Sequence, residues 1–468
     1  MAAPHGGCGG KASAHMNPVL LGILGYVVVQ FAIGAYYSRR MASDRDYITA
    51  GRSLTLPLVA FSVFSTWFGA EAIVTSAGEV YSHGLAGGKV DPFGYAAAVV
   101  AVGLLLASRL WLTHATTFTD VIRQRFSPAA ERLFVIVLLP GSIFWAAAQI
   151  RAFGQILSST SSLDVNQAIV IAAVLVAVYA AVGGLLADAV TDVVQGVVVI
   201  LGLAVLTALV VANLGGAGAS LASVTPDRLI WFGADEGGAM AIAEKLTITI
   251  CGSLVSVELI SRFLGARSAA VARNGTIIGG VMYLVVGLMP LYIGLVGPNL
   301  IAGLAEPEQI VPRTAELLLP VGGYAIFAGA LVSAILSVVH AALHAPAAQV
   351  SHNIVVRYLP DLGGRGRLTA VRLTVVALSL VALVLALRVE RIRDLVEIAS
   401  AIGSAGAVVV VAFGLFTRIG GSASATATLV TGGVVWAVAK FIFAVPAPYL
   451  LALAVSAAVY LVVARAEW

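Results

Sequence analysis

The sequence predicts an all-α integral membrane protein with about 13 transmembrane helices, because apolar stretches of about 20 residues follow one another along the chain. Of the 468 residues, 60% are hydrophobic and only 11% are charged. Soluble domains carry about 25% charged residues, so this composition excludes the usual soluble classes. The stretches are continuous and do not alternate between polar and apolar residues, which favours helices over strands.

The apolar stretches leave little sequence for any other domain. They lie at residues 18–38, 54–80, 93–111, 133–158, 165–186, 190–212, 241–263, 276–297, 321–347, 371–387, 395–416, 425–445 and 449–463. The longest connections are short and contain Gly and Pro. We therefore predict one transmembrane domain over residues 17–468, after a disordered N-terminal tail at residues 1–16. The tail lacks the apolar core of a signal peptide, and Met16 is an alternative start.

Basic residues predict the orientation of the chain, because short loops rich in Lys and Arg stay in the cytoplasm. They follow the first, third, seventh and ninth stretches, as Arg39, Arg40, Arg45, Arg123, Arg125, Arg132, Arg262, Arg267, Arg273, Arg357, Arg365, Arg367 and Arg372. One loop, with Arg388, Arg391 and Arg393, dissents. We predict a multi-pass protein of the plasma membrane (the inner membrane of a bacterial cell), with its N-terminus outside and its C-terminus in the cytoplasm. No basic tract with interleaved aromatic residues indicates a nucleic-acid partner.

Acidic residues inside the apolar stretches are the first functional signal. Asp188 and Asp192 lie in the segment GGLLADAVTDVVQG at residues 183–196, between two long apolar runs. An ionisable group at membrane depth costs about 3 kcal/mol or more, so it suggests a polar cavity or an ion path. For Asp188, Glu79 and Glu244 the preferred interpretation is a position at a water interface.

Several segments resemble the sodium:solute symporter family, the cotransporters of sugars, proline and sialic acid. They are the GG-L and TD-Q pattern of residues 183–195, DYITAGRSL at 46–54, STWFGAEAIVTSAG at 65–78, TFTDVIRQRFS at 117–127, ISRFLGARSAAVARNGTIIGG at 260–280 and AGALVSAILS at 328–337. The blocks occur in the family's order and extend over almost the whole chain from Met16.

The resemblance implies a LeuT-like core of five helices repeated with inverted topology. The two repeats would occupy residues 54–212 and 241–416, with peripheral helices at residues 18–38 and 425–463. Such folds bind solute near the bilayer midplane, where the first helix of each repeat unwinds. Gly69 in the first repeat, and Gly252 with Ser253 in the second, are the expected breaks.

The resemblance also implies a sodium site between the two repeats. Its ligands would be the backbone carbonyls of Ser65, Phe68 and Ala334 and the hydroxyl of Ser337. The family's second hydroxyl position is occupied by Val338, which offers no oxygen to a hard cation. Asp192 holds the family's acid position, where it would tune the ion path or the intracellular gate. Sodium is the expected coupling ion, and a proton is the alternative.

His340 and His344 are spaced i, i+4, so they lie on one helix face about 6 Å apart. Three interpretations remain open. The two imidazoles can bind a transition metal, carry a transported proton, or form structural hydrogen bonds inside the bundle. A proton relay is preferred over a metal, and we predict no resident metal or cofactor.

Candidate substrate-binding residues come from polar positions within the apolar stretches. They are Glu71, Gln149, Arg151, Ser256 and Glu258. Gln149 and Arg151 offer donors suited to a carboxylate solute. Arg151 can equally form a structural ion pair with Glu71, Asp192 or Glu258.

The predicted function is transport and not enzymatic catalysis, since no nucleophile elbow, zinc-binding H-E-x-x-H or phosphate-binding loop occurs. We predict cation-coupled symport of a small polar organic solute across the plasma membrane by alternating access. The expected partners are the lipid bilayer, the solute and the coupling cation. The alternatives are a transporter-like membrane sensor, an uncoupled facilitator, and proton-coupled symport.

Overall fold

The computed structural model describes residues 18–39, 43–69, 71–161, 163–231, 238–359, 361–388 and 398–467. The predicted tail at residues 1–16 lies outside the described residues. In chain order the helices are α1 (Pro18–Ser38), α2 (Asp44–Thr49), α3 (Leu56–Trp67), α4 (Ser76–His83), α5 (Tyr95–Val102), α6 (Ser108–Leu112), α7 (Phe118–Arg125), α8 (Pro128–Thr160), α9 (Val165–Val182), α10 (Leu185–Asn213), α11 (Ala217–Ala222), α12 (Gly238–Leu254), α13 (Val257–Leu264), α14 (Ala269–Val296), α15 (Ile310–Leu318), α16 (Val321–Gln349), α17 (Val356–Tyr358), α18 (Gly364–Arg388), α19 (Ser404–Phe416), α20 (Ser422–Phe441) and α21 (Pro448–Ala466).

The all-α prediction is confirmed. Eleven helical segments of the described chain are long and apolar enough to cross a membrane, and two shorter apolar segments, Val27–Ser38 within α1 and Leu56–Trp67 (α3), accompany them. The number of 13 spans stays a prediction. Large apolar side chains lie exposed on the outer surface, as expected of helices that face lipid; Leu201 is 60% exposed and Leu373 is 65% exposed.

Helix α16 forms the centre of the bundle. Its residues are buried without interruption from 327 to 349. It packs against α1, α8 and α10. His340 and His344 therefore lie inside the protein and not at a lipid-facing surface.

The first helix of the first repeat breaks where the sequence indicated. Helix α3 ends at Trp67, and Phe68 leaves helical geometry with φ −84° and ψ 69°. The chain resumes as a π-helical turn, Glu71–Thr75, that leads into α4. A Cβ at Gly69 would lie 2.8 Å from Val338 Cγ2, so only glycine allows α16 to approach this closely.

The first helix of the second repeat also breaks, but three residues later than expected. Helix α12 continues through Gly252 and Ser253 and ends at Leu254. Ser256, with φ −63° and ψ 118°, caps α13 by accepting a hydrogen bond from Leu259 N–H. The prediction of a break at Gly252 is wrong, because this glycine serves close packing: a Cβ there would lie 2.9 Å from the Ser400 carbonyl oxygen.

The loops that carry the basic residues share one face of the bundle. Leu54 N–H donates to the Gly265 carbonyl at 3.0 Å, and Arg52 donates to the Ala115 carbonyl at 2.9 Å. Arg357 pairs with Glu131 at 2.9 Å on the same face. Arg262 is the exception: the sequence predicts it in a basic loop, but it is fully buried.

Helix α14 approaches α3 closely through small residues. A Cβ at Gly275 would lie 2.6 Å from Val59 Cγ1, and one at Gly279 would lie 2.9 Å from the Ala60 carbonyl oxygen. Small residues at helix contacts are the usual means of close packing in membranes. The contact places Tyr283, one turn further along α14, behind the first helix break, where its ring packs at 5.4 Å against Phe68.

Candidate functional site

A cavity of about 80 Å³ lies between the two helix breaks. A cavity needs about 10 to 15 Å³ to hold one water molecule, so this cavity has room for several waters or one small solute. Its aromatic wall consists of Trp67, Tyr95, Trp145 and Tyr283. Its polar wall consists of Glu71, Ser142, Ser253, Ser256, Glu258, Ser400 and Ser404.

Glu71 follows the first break and faces this cavity, as a candidate substrate residue should. Its Oε1 accepts a hydrogen bond from the Tyr95 hydroxyl at 3.2 Å. A second acid, Asp91, accepts a hydrogen bond from the Tyr283 hydroxyl at 2.9 Å. Asp91 was not identified from the sequence, since it lies in an irregular segment between two predicted spans.

Glu258 and Ser256 follow the second break and lie on the opposite wall. Ser256 Oγ donates to Glu258 Oε2 at 2.7 Å. Glu258 is only 4% exposed, and its Oε1 has no hydrogen-bond partner among the described residues. Two acids and one serine that were selected separately from the sequence thus line one cavity.

Gln149 and Arg151, both on α8, lie in different surroundings. Gln149 is buried beside the first break, with its Oε1 3.3 Å from the position of a Cβ on Gly69. Arg151 donates a hydrogen bond of 2.8 Å to the Ala386 carbonyl near the end of α18. Neither residue belongs to the cavity wall.

A second polar centre surrounds the carboxylate of Asp192, which is fully buried. Ser62 Oγ donates to its Oδ2 at 2.7 Å, and Ser337 Oγ donates to its Oδ1. Ser65 Oγ donates to the backbone carbonyl of Asp192 at 3.1 Å. Helices α3, α10 and α16 thus meet at one acid.

The other predicted ion-coupling residues lie next to this acid. Ser65, Phe68 and Ala334 lie close together around Gln195, with no space between them for a water molecule. Gln195 is 1% exposed, and neither polar atom of its amide has a hydrogen-bond partner within the described chain. Gln195 belongs to the TD-Q pattern, but the sequence did not indicate its position beside the predicted ion-coupling residues.

Asp188 belongs to a third buried cluster, so its predicted position at a water interface is wrong. Its carboxylate contacts Arg262 Nη1, and His340 Nδ1 lies 2.9 Å from its Oδ2. The same Arg262 nitrogen lies 3.9 Å from Asp192 Oδ2. A guanidinium from the second repeat therefore neutralises acids of the first repeat, which makes deep burial of Asp188 possible.

The two histidines of α16 stack on each other, with ring centroids 5.2 Å apart. His344 Nε2 lies 3.0 Å from the Tyr47 carbonyl oxygen, while His340 faces Asp188. No group of three or more His, Cys, Asp or Glu side chains in the described chain is arranged to hold a metal ion. His340 therefore contacts a buried acid, and His344 contacts the backbone of α2.

Glu244 and Glu79 are the other two acids predicted to lie at a water interface. Glu244 is only 7% exposed, and it accepts hydrogen bonds from the backbone N–H groups of Tyr449 and Leu450, at 2.6 and 2.9 Å. It caps the N-terminus of α21, where a carboxylate is favourable, so the prediction was wrong there. Glu79 has a side chain 30% exposed beside His83, in agreement with the prediction.

Comparison with known proteins identifies the family. The model of the sodium:solute symporter family matches residues 47–432. The high-affinity choline transporter 1 of Caenorhabditis elegans is 24% identical over 72% of this chain and 63% of its own length. The corresponding human protein is 26% identical over 66% of this chain and 55% of its own length. The matched region therefore spans less than two thirds of these two transporters.

The chain is also similar to a bacterial symporter in sequence and to a solved transporter structure in fold. The sodium/pantothenate symporter of Escherichia coli (strain K12) is 23% identical over 73% of each chain. A solved structure of a Na⁺-coupled sialic acid symporter superposes with a TM-score of 0.83, at 14% identity, and covers 96% of this chain and 97% of that one. This likeness confirms the inverted-repeat transporter fold. The family match, which extends over most of the sequence, shows that the chain belongs to the sodium:solute symporter family.

Proposed function

We propose that this protein is a secondary active transporter that carries a small polar organic solute across the plasma membrane together with a cation. The observation that carries the proposal is the buried Asp192 carboxylate at the first helix break, surrounded by oxygen-bearing side chains. A buried carboxylate is costly, and Arg262, which lies 3.9 Å away and is already in contact with Asp188, offsets that cost only in part, so a bound cation adds stabilisation. The matched choline transporters and the sodium/pantothenate symporter support the same activity.

Sodium is the coupling ion that fits this centre best. The carbonyl oxygens of Ser65, Phe68 and Ala334 would surround it, and Ser337 would add a hydroxyl. Because the Ser337 hydroxyl donates its hydrogen to Asp192, its lone pairs remain available to an ion. The charge of Asp192 and the amide of Gln195, which has no hydrogen-bond partner among the described residues, offset the oxygen missing at Val338.

Proton coupling is the second candidate, and the pair of His340 and Asp188 favours it. The 2.9 Å contact between them lies deep in the bundle, where imidazole is a common element of proton relays. The two candidates differ in the ion gradient that drives uptake. Neither requires a resident metal or cofactor.

We further propose that the face carrying the basic loops is cytoplasmic, because short basic loops stay on that side. This orientation puts the beginning of α1 outside and the end of α21 inside the cell. It can be tested by labelling single cysteines placed at exposed positions of the two faces, such as Asp227 and Thr369, in intact cells with a membrane-impermeant reagent. Labelling of the Asp227 position alone is expected, and labelling of the Thr369 position alone would reverse the orientation.

Val338→Thr is expected to raise the apparent sodium affinity by about tenfold, because the new hydroxyl supplies the missing ligand at nearly the same side-chain volume. The measurement is the thermal unfolding temperature of the purified protein as a function of NaCl, with KCl at equal ionic strength as the control. A variant whose NaCl dependence equals that of the parent, or one that responds equally to KCl, would argue against a sodium ion at this position.

A further inference from the structure

We propose that the cavity between the two helix breaks binds an organic cation with an alkylated ammonium group, held between Glu71 and Glu258 and against the aromatic wall. The inference rests on the proposed function, because it takes this cavity as the solute site. It adds the chemical class of the solute, which the family does not specify.

The first argument is the charge of the cavity wall. Two carboxylates line the cavity, and no Lys, Arg or His is among the lining residues that the structure describes. The guanidinium of Arg262, which lies further along α13, is already engaged by Asp188. Two uncompensated acids inside a membrane protein are strongly unfavourable, so a positively charged occupant stabilises the site.

The second argument is an unsatisfied oxygen that points to a ligand. Glu258 is 4% exposed, and Ser256 binds its Oε2 at 2.7 Å. Its Oε1 lacks a hydrogen-bond partner within the described chain. Buried polar atoms are nearly always partnered, so the free oxygen at a cavity wall indicates a missing positive group or donor.

The third argument is the aromatic wall, which selects the type of cation. Trp67 and Trp145 pack edge to face with ring centroids 5.2 Å apart, and Tyr95 and Tyr283 form a second pair at 6.3 Å. Aromatic faces attract alkylated ammonium groups electrostatically and also cover their methyl groups. A primary ammonium ion prefers hydrogen-bonding oxygens, so this wall favours the alkylated form.

The polar wall, which carries Glu71 and Glu258, disfavours anions. A carboxylate solute would face Glu71 and Glu258, and none of the described lining residues is cationic. Like charges in a poorly solvated site repel strongly. Pantothenate, which is an anion at neutral pH, is therefore expected not to bind here, although a matched relative is named for it.

The test is a binding measurement on the purified full-length chain in detergent with 100 mM NaCl, using labelled choline as the probe. Unlabelled tetramethylammonium is expected to compete with it. The neutral isostere 3,3-dimethyl-1-butanol is expected to compete about tenfold or more weakly, since it has the shape of choline without the charge. Pantothenate serves as the anionic comparison.

Variants of the two acids localise the binding. Glu71→Gln and Glu258→Gln are each expected to weaken choline binding by about tenfold or more, because each removes a carboxylate that faces the ammonium group. Glu79→Gln, at a partly exposed acid outside the cavity wall, is the matched control and should bind as the parent does. Trp145→Leu tests the aromatic wall without changing the charge, in case an acid variant fails to fold.

The outcomes separate this inference from the proposed function. Equal competition by choline and its neutral isostere, or binding of pantothenate without choline, would overturn the organic-cation inference. Gradient-driven uptake of a neutral or anionic solute would leave symport intact and refute the inference. Choline binding that Glu71→Gln and Glu258→Gln weaken, but without accumulation under any gradient, would support the cavity assignment and refute symport.

Discussion

Asp192→Asn is expected to lower cation-driven solute accumulation by about 100-fold, while the protein remains folded. The carboxylate is fully buried and receives the hydroxyls of Ser62 and Ser337. The amide keeps the shape but removes the negative charge that binds the cation, and the loss of a buried charge partner costs about 2 to 5 kcal/mol. The measurement is the initial uptake rate as a function of external NaCl.

The matched control for this variant is Asp227→Asn, at an exposed position outside both polar centres. It makes the same chemical change on the protein surface and should transport normally. If Asp192→Asn transports with the parent's sodium dependence, the backbone and hydroxyl oxygens bind the ion without this acid, and the proposed role of Asp192 is wrong.

Arg262→Met is expected to destabilise the protein by about 3 to 5 kcal/mol, because it leaves buried acids without their counter-charge. Arg262 is fully buried, contacts Asp188, and lies 3.9 Å from Asp192. Thermal or denaturant unfolding of the purified protein in detergent measures the change. Arg313→Met is the control, since Arg313 forms an exposed pair with Glu316 that should contribute less than about 1 kcal/mol.

A double-variant cycle distinguishes an ion pair from loss of packing alone. Asp188→Asn alone leaves the buried guanidinium with less negative charge, so it should also destabilise. The double variant Arg262→Met with Asp188→Asn should lose less stability than the sum of the two single variants. Strictly additive losses would show that the two side chains do not stabilise each other.

The sequence was sufficient for the class of fold, because the apolar stretches are strong and regular. It also located the first break and the acid of the proposed ion site, since Gly69 and Asp192 lie in segments that resemble the family. In both cases a short sequence pattern was enough to predict the position. The structure confirms the break at Phe68 and Gly69 and brings Asp192 next to Ser337.

The buried cluster of Asp188, Arg262 and His340 could not be predicted from local sequence. Arg262 lies at the end of an apolar stretch, with Arg267 and Arg273 after it, and therefore has the pattern of a basic cytoplasmic loop. Its contact with Asp188 joins residues 74 positions apart and exists only after the two repeats pack together. Long-range pairing of this kind leaves no signal in hydropathy.

The second break has a local signal in the sequence at Ser256. Ser256 is a preferred N-cap residue, and Glu258 follows it in the first turn of α13. Serine before an acidic first turn is a common signal for a helix start. Glycine alone was a poor guide, because Gly252 packs against Ser400 within an intact helix.

The most direct test of cation-coupled symport is uptake into proteoliposomes that contain the purified protein. A pool of labelled small solutes, including choline and pantothenate, would be offered with an inward sodium gradient, an inward proton gradient, or neither. We expect one solute class to accumulate only under the sodium gradient, and Asp192→Asn to abolish this accumulation. Accumulation driven only by protons would contradict sodium coupling and favour His340 and Asp188 as the proton site. Equilibration without accumulation under any gradient would contradict symport itself.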